Sequence, residues 1–182
     1  MKTPLRLESA GPESSAGFTL LELLTVITIG GLLMTAAVSG MFGLARAQQQ
    51  SATSESLLST MRAAQANAQA EGRAYCVRFD TTTTWSTWRY SCDPAEVTTP
   101  SSPLQVNNGK TDGTAYLANV AVAASVVSGL ARSCPSAPVL GCAFFYPRGI
   151  ASSGSVQVKR PSSGSTYTLN IVGITGRVFV TH

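Results

Sequence analysis

GFTLLELLTVITIGGLLMTAAV, residues 17–38, decides how this chain is read. From Phe18 to Ala45 it carries one charged residue, Glu22, in an otherwise apolar or small-residue run. A helix needs about 20 apolar residues to cross a bilayer, so the run is read as a membrane segment. A carboxylate inside such a segment costs about 3 kcal/mol unless something pairs with it, which marks Glu22 as functional. The plainer alternative is that Glu22, about 6 Å along the helix at 1.5 Å per residue, reaches the headgroups and does nothing further.

The residues ahead of the run bear on that choice. A secretory signal places its small-residue cleavage site after the apolar centre. Here Ser14-Ser15-Ala16-Gly17 precedes it, and residues 1–17 are otherwise polar. A cut between Gly17 and Phe18 leaves the apolar helix on the mature chain, with Phe18 first and Glu22 one turn later. This arrangement resembles the class III leader of type IV pilins and pseudopilins. The resemblance implies that a prepilin peptidase of the bacterial inner membrane cuts after Gly17 and methylates Phe18. It also implies that Glu22 neutralises the amino terminus of a neighbouring subunit. The electrostatics are sensible on their own terms. A new amine at Phe18 is a cation at the membrane edge, and breaking a buried ion pair costs about 3–5 kcal/mol, so such a pair sets register.

Polarity sets the orientation. Lys2 and Arg6 stand before the run and Arg46 alone just after it, a bias toward a cytoplasmic amino terminus with the rest of the chain in the periplasm. Thr25, Thr28, Thr35 and Ser39 can return their hydroxyls to carbonyls of the preceding turn. Gly30-Gly31 and Gly40 to Gly43 offer either close helix packing or local kinks.

No proline interrupts the chain between Pro12 and Pro94. Leu57, Leu58, Met61, Ala64 and Ala68 form an apolar stripe at helical spacing, and Glu71-Gly72 offers a stop. One helix is therefore expected from Phe18 to about Ala70, with a sheet covering its second half. Residues 73–79 and 84–90 read as a hairpin around a Thr-rich turn. Residues 93–112, with Pro94, Pro100, Pro103 and Asn107-Asn108-Gly109, read as loop. Residues 116–127 suit a strand or a short helix, the valines favouring strand, and 132–142 read as a loop pinned by cysteines. Four short strands follow at 143–146, 155–159, 166–172 and 177–180, with alternation clearest at Tyr167, Leu169 and Ile171.

The chain has 182 residues and a net charge of +4, and removing the leader subtracts two charges of each sign and leaves that net unchanged. Cys76, Cys92, Cys134 and Cys142 all follow the apolar run, suggesting disulfides in an oxidising compartment. Three connectivities are open, and the local pairs 76–92 and 134–142 are expected, each adding about 2–3 kcal/mol. Zinc is disfavoured because no C-x-x-C pair exists and His182 is the single histidine. The same lone histidine leaves no Ser/His/Asp set, and no phosphate-binding glycine loop is present, so neither enzyme activity nor a cofactor or metal is expected.

Three passages, SLLSTMRAAQ at 56–65, FFYPRG at 144–149 and GITGRV at 173–178, resemble the GspH/FimT group of minor pilins and pseudopilins. The resemblance implies an α+β pilin-like fold: one long N-terminal helix, membrane-spanning in its first half, packed on an antiparallel β-sheet head. It divides the chain into a cleaved leader at 1–17, a membrane and assembly segment at 18–47 and a periplasmic head at 48–182. It implies as partners the prepilin peptidase and methylase, inner-membrane lipid before assembly, and other subunits of a type IV pilus or type II secretion pseudopilus. Some members of the group bind DNA through a C-terminal Gly-Arg-x-Arg motif. This chain keeps Gly176 and Arg177 but has Phe179 at the second arginine. After Asp112 there is no acidic residue, while Arg132, Arg148, Lys159, Arg160 and Arg177 are basic, so phosphate contact by these five is the alternative reading to a diffusely basic surface.

Overall fold

A computed structural model describes residues 17–95, 103–123, 134–135, 138–161 and 164–182; within the helix the side chains of residues 36 and 38–41 fall outside the description. Two compact units divide the chain after Phe42. One helix, α1, runs Leu20–Glu71. It starts where the Thr19 hydroxyl accepts the Glu22 amide at 3.2 Å, the geometry of an N-cap. It stops at Gly72, whose φ of +65° suits a residue without Cβ, and the Arg73 amide reaches back to the Ala68 carbonyl at 3.2 Å. Thr25, Thr28 and Thr35 return their hydroxyls to carbonyls three residues back at 2.8–2.9 Å. Among the described residues no helix is long and apolar enough to cross a membrane.

In the unit from Gly43 onward, two four-stranded antiparallel sheets cover the helix. The first comprises β1 (Tyr75–Phe79), β2 (Thr84–Arg89), β3 (Leu104–Lys110) and β5 (Gly141–Phe145), in the order β3-β2-β1-β5. The second comprises β4 (Tyr116–Val122), β6 (Gly154–Lys159), β7 (Thr166–Ile171) and β8 (Val178–Thr181), in the order β4-β6-β7-β8. Leu57, Met61, Ala64 and Ala68 of the helical stripe are buried in one core with Val77, Phe79, Trp85 and Phe145 of the first sheet and Leu117, Val156, Val158 and Leu169 of the second. Leu58 packs at its margin.

Two polar side chains on the buried helix face, Gln50 and Thr53, bond to backbone groups outside the helix. The buried Gln50 amide donates to the carbonyls of Val158 and Ser165, both at 3.0 Å. The Thr53 hydroxyl accepts the Asp112 amide at 2.8 Å.

One expectation is overturned. Residues 104–110, read as loop, form strand β3 against β2. Asn107-Asn108-Gly109 is turn-like in composition, but Gly109 lies opposite Trp85 in the ladder, and a Cβ there would fall 2.2 Å from the indole Nε1. The glycine is needed because the buried Trp85 ring lies across its backbone, and a register shift between Thr87 and Trp88 absorbs the irregularity. Of the expected strand at 116–127, β4 takes 116–122, and residues 124–127 lie outside the description.

Gly109→Ala should therefore destabilise the full chain by about 1–3 kcal/mol, because Trp85 has no room to withdraw. Lys110→Ala, at the exposed end of the same strand, should stay within about 0.5 kcal/mol. Urea denaturation followed by tryptophan fluorescence compares the two; equal midpoints would mean that β3 does not pack as described.

Candidate functional site

The N-terminal unit exposes its apolar side chains. Phe18 is 79% and Leu20 85% exposed, and the leucines, valine and isoleucines that follow are uncovered as well. Among the described residues, and apart from the helix's own adjoining backbone, no atom lies within 4 Å of where a Cβ at Gly30 or Gly31 would stand, so the backbone there is open to close approach. Gly17 is likewise open. Among the described residues Glu22 forms no ion pair. Its amide is capped by Thr19, which makes Thr19-x-x-Glu22 a capping-box sequence. A carboxylate in the first helical turn also faces the positive end of the helix dipole. The sequence reading missed this second use of Glu22, although a threonine three residues before a glutamate at the head of an apolar run is its signal.

The candidate basic residues separate into two groups. The turn carrying Arg148 and the turn carrying Arg177 meet. Gly176 has φ +62°, and a Cβ there would stand 2.5 Å from the Gly149 carbonyl oxygen. Gln65 donates to the Thr175 carbonyl at 3.3 Å, and Gly149 sits beside Gln69. Arg148 and Arg177 are both exposed, and Arg62, which sequence reasoning did not single out, donates to the Val178 carbonyl at 3.3 Å. Lys159 and Arg160 lie at the opposite end, where Gln50 ties down Val158, about 22 Å away along the helix. Arg132 lies outside the described residues. Phe179, at the position of the group's second arginine, is half-buried opposite Asn170 on β7. Beside Arg177 the turn also exposes Ile174, at 86%.

All four cysteines are bridged, Cys76 to Cys92 and Cys134 to Cys142, each pair with Cα atoms 5.6 Å apart. They sit on the face of the first sheet turned away from the helix, with Trp88, Phe144 and Tyr146. Arg78 fastens this layer. Its Nε meets Asp80 at 2.6 Å, its guanidinium donates to the Cys92 carbonyl at 3.1 Å and its plane lies over Trp88. The Ser86 hydroxyl donates to Asp80, and Trp88 Nε1 donates to Ser86. Arg78, Asp80 and Ser86 wall a surface cleft of about 580 Å³ that also takes in Gln105, Asn108 and Lys110.

A second cluster closes the end of α1. Tyr75 donates to Glu71 at 2.8 Å and Arg89 pairs with the other Glu71 oxygen at 3.1 Å. Arg73 and Arg89 both lie over the ring of Tyr90, which holds a φ of +75°.

A protein-family model described as the prokaryotic N-terminal methylation motif matches residues 14–38. Among solved structures, the minor pseudopilin EPSH from the type II secretion system of Vibrio cholerae superposes with a TM-score of 0.51 at 10% identity, over 73% of this chain and 93% of that one. The chain thus carries a prokaryotic N-terminal methylation motif and shares the fold of that pseudopilin, an N-terminal helix packed on antiparallel sheets. No curated protein sequence matches it.

The Tyr75 hydroxyl bond, then the Arg89 guanidinium, hold the Glu71 carboxyl below the ordinary carboxylate range. Folding thus lowers its pKa, so the clasp stabilises the fold above the unfolded carboxyl's pKa and is lost as pH falls through the folded value. Thermal melts of wild type and Glu71→Gln should differ at neutral pH and converge as pH drops below the carboxylate range. A difference that persists at the acid end would assign the effect to shape rather than charge.

Proposed function

We propose that this chain is a minor pilin or pseudopilin, a structural subunit that enters the bacterial inner membrane through residues 18–47 with its amino terminus in the cytoplasm. On this reading the peptidase removes residues 1–17, Phe18 is methylated, and the helix then assembles with other pilin-type subunits into a type II secretion pseudopilus or a type IV pilus. The observation that carries the reading is the uncovered apolar start of α1 with a lone carboxylate four residues past the methylation site. So large an apolar surface requires lipid or neighbouring helices as its cover. In lipid Glu22 needs a cation, and the amine of a neighbouring Phe18 supplies one. Two bridged cysteine pairs support an oxidising, periplasmic location for residues 48–182. The proposed role is structural and non-enzymatic.

A second reading, a DNA-binding minor pilin that serves DNA uptake, draws on the contact between the Arg148 and Arg177 turns. Two phosphates neutralised there would give a slope of log affinity against log salt of about −1.8, at roughly −0.9 each. Binding of the full chain to duplex should then be lost in Arg148→Ala with Arg177→Ala and kept in Lys159→Ala with Arg160→Ala. No binding at low salt would dismiss this reading.

For the assembly role, mass spectrometry of wild type and Glu22→Gln should find both beginning at methylated Phe18, with the variant depleted from the assembled fibre. Glu22→Asp, which keeps the charge, should recover more of the assembly than Gln does. A wild-type chain that begins at Met1 would refute the processing, and a Glu22→Gln variant that assembles normally would refute the ion pair.

A further inference from the structure

Three of the four sulfurs converge on one buried point. The Sγ atoms of Cys76, Cys92 and Cys142 lie within 4.8 Å of one another, although they belong to two different bridges. Strand register brings them together. Cys76 and Arg78 project from the same face of β1, and their partners on β5 are Phe144 and Cys142. The bond from Arg78 to the Cys92 carbonyl draws the loop after β2 over this strand pair. Cys76, Cys92 and Cys142 are buried, whereas Cys134 is only partly so.

We infer that the two disulfides form a single thiol–disulfide exchange unit, entered at Cys134 by a small-molecule thiolate and rearranging to a Cys92–Cys142 bridge. In the first step the external thiolate attacks Cys134 Sγ, the more accessible sulfur. A mixed disulfide forms there, and the Cys134–Cys142 bond breaks with its electron pair on Cys142. That thiolate is released directly opposite Arg78 in the ladder, where a guanidinium favours the anion. In the second step Cys142 attacks Cys92 Sγ, the Cys92–Cys142 bond forms, and the pair from the broken Cys76–Cys92 bond goes to Cys76. The second step exchanges one disulfide for another with no net oxidation. Cys92 is the target rather than Cys76 because diagonal neighbours on adjacent strands sit about 7–8 Å apart. That exceeds the roughly 7 Å beyond which two cysteines cannot be bridged without moving the backbone. Cys92 lies beyond the end of β2, outside the ladder that fixes the separation of Cys76 and Cys142.

The direct test is the full-length double variant Cys76→Ser with Cys134→Ser, which leaves only Cys92 and Cys142. Recovered from an oxidising compartment and alkylated without reduction, it should carry a Cys92–Cys142 bridge; two alkylated cysteines in the folded protein would overturn the inference. Should that variant not fold, wild type treated with limiting reduced glutathione, quenched in acid and alkylated, gives the same answer by peptide mapping. The expected products are glutathione on Cys134, a Cys92–Cys142 peptide and alkylated Cys76. Glutathione on Cys134 with alkylated Cys142 and an intact Cys76–Cys92 peptide would refute exchange, and no adduct at Cys134 would refute the point of entry.

Discussion

Burial of the stripe Leu57, Met61, Ala64 and Ala68 is the constraint on which residues 43–182 depend. Half an amphipathic helix is not stable in water, so the stripe requires a cover, and two sheets supply it jointly. Val77, Phe79 and Phe145 reach it from one sheet, and Val156, Val158 and Leu169 from the other. Because both sheets share one helical face, the polar side chains flanking the stripe become fasteners. Gln50, Thr53, Arg62 and Gln65 each bond to a backbone group outside the helix. The turns that carry Arg148 and Arg177 are positioned by this fastening, with Gly176 allowing the two backbones to touch.

The first sheet has a second layer on its other face. With the helix on one side, Cys76, Trp88, Cys142 and Phe144 would otherwise face solvent. The Cys92 segment and Cys134 close over them, and two bridges together with Arg78 hold that cover in place. Each bridge closes a short loop, and each contributes on the order of 2–3 kcal/mol by restricting the unfolded chain. Packing two bridges against a single strand pair is also what brings three sulfurs within reach of exchange.

The N-terminal unit obeys the opposite logic. Its described apolar side chains face outward, and Glu22, the one carboxylate among its described residues, lies beside the helix N-terminus. Thr19 caps the Glu22 amide, so the local structure of Glu22 is settled within its own chain while its charge stays available to another. Such a division suits a residue whose electrostatic partner belongs to the next subunit in the proposed assembly.

Much of this was legible in the sequence because it is written in local patterns. The methylation motif, the helical stripe, the stop at Gly72 and the alternation at Tyr167, Leu169 and Ile171 are short-range signals of period or cleavage-site order. Strand β3 was not legible, since Asn107-Asn108-Gly109 has turn composition and its strand state comes from Trp85, a residue on another strand. The meeting of Arg148 with Arg177, and their separation from Lys159 and Arg160, was equally hidden. Those distances are set by where each turn docks along the helix rather than by spacing in the chain. The sequence by itself determined where the helix runs, how its start is marked and which of its faces must be buried. Only the tertiary structure decided which distant side chains share a surface, because strand order and sulfur proximity arise from long-range pairing that no local window contains.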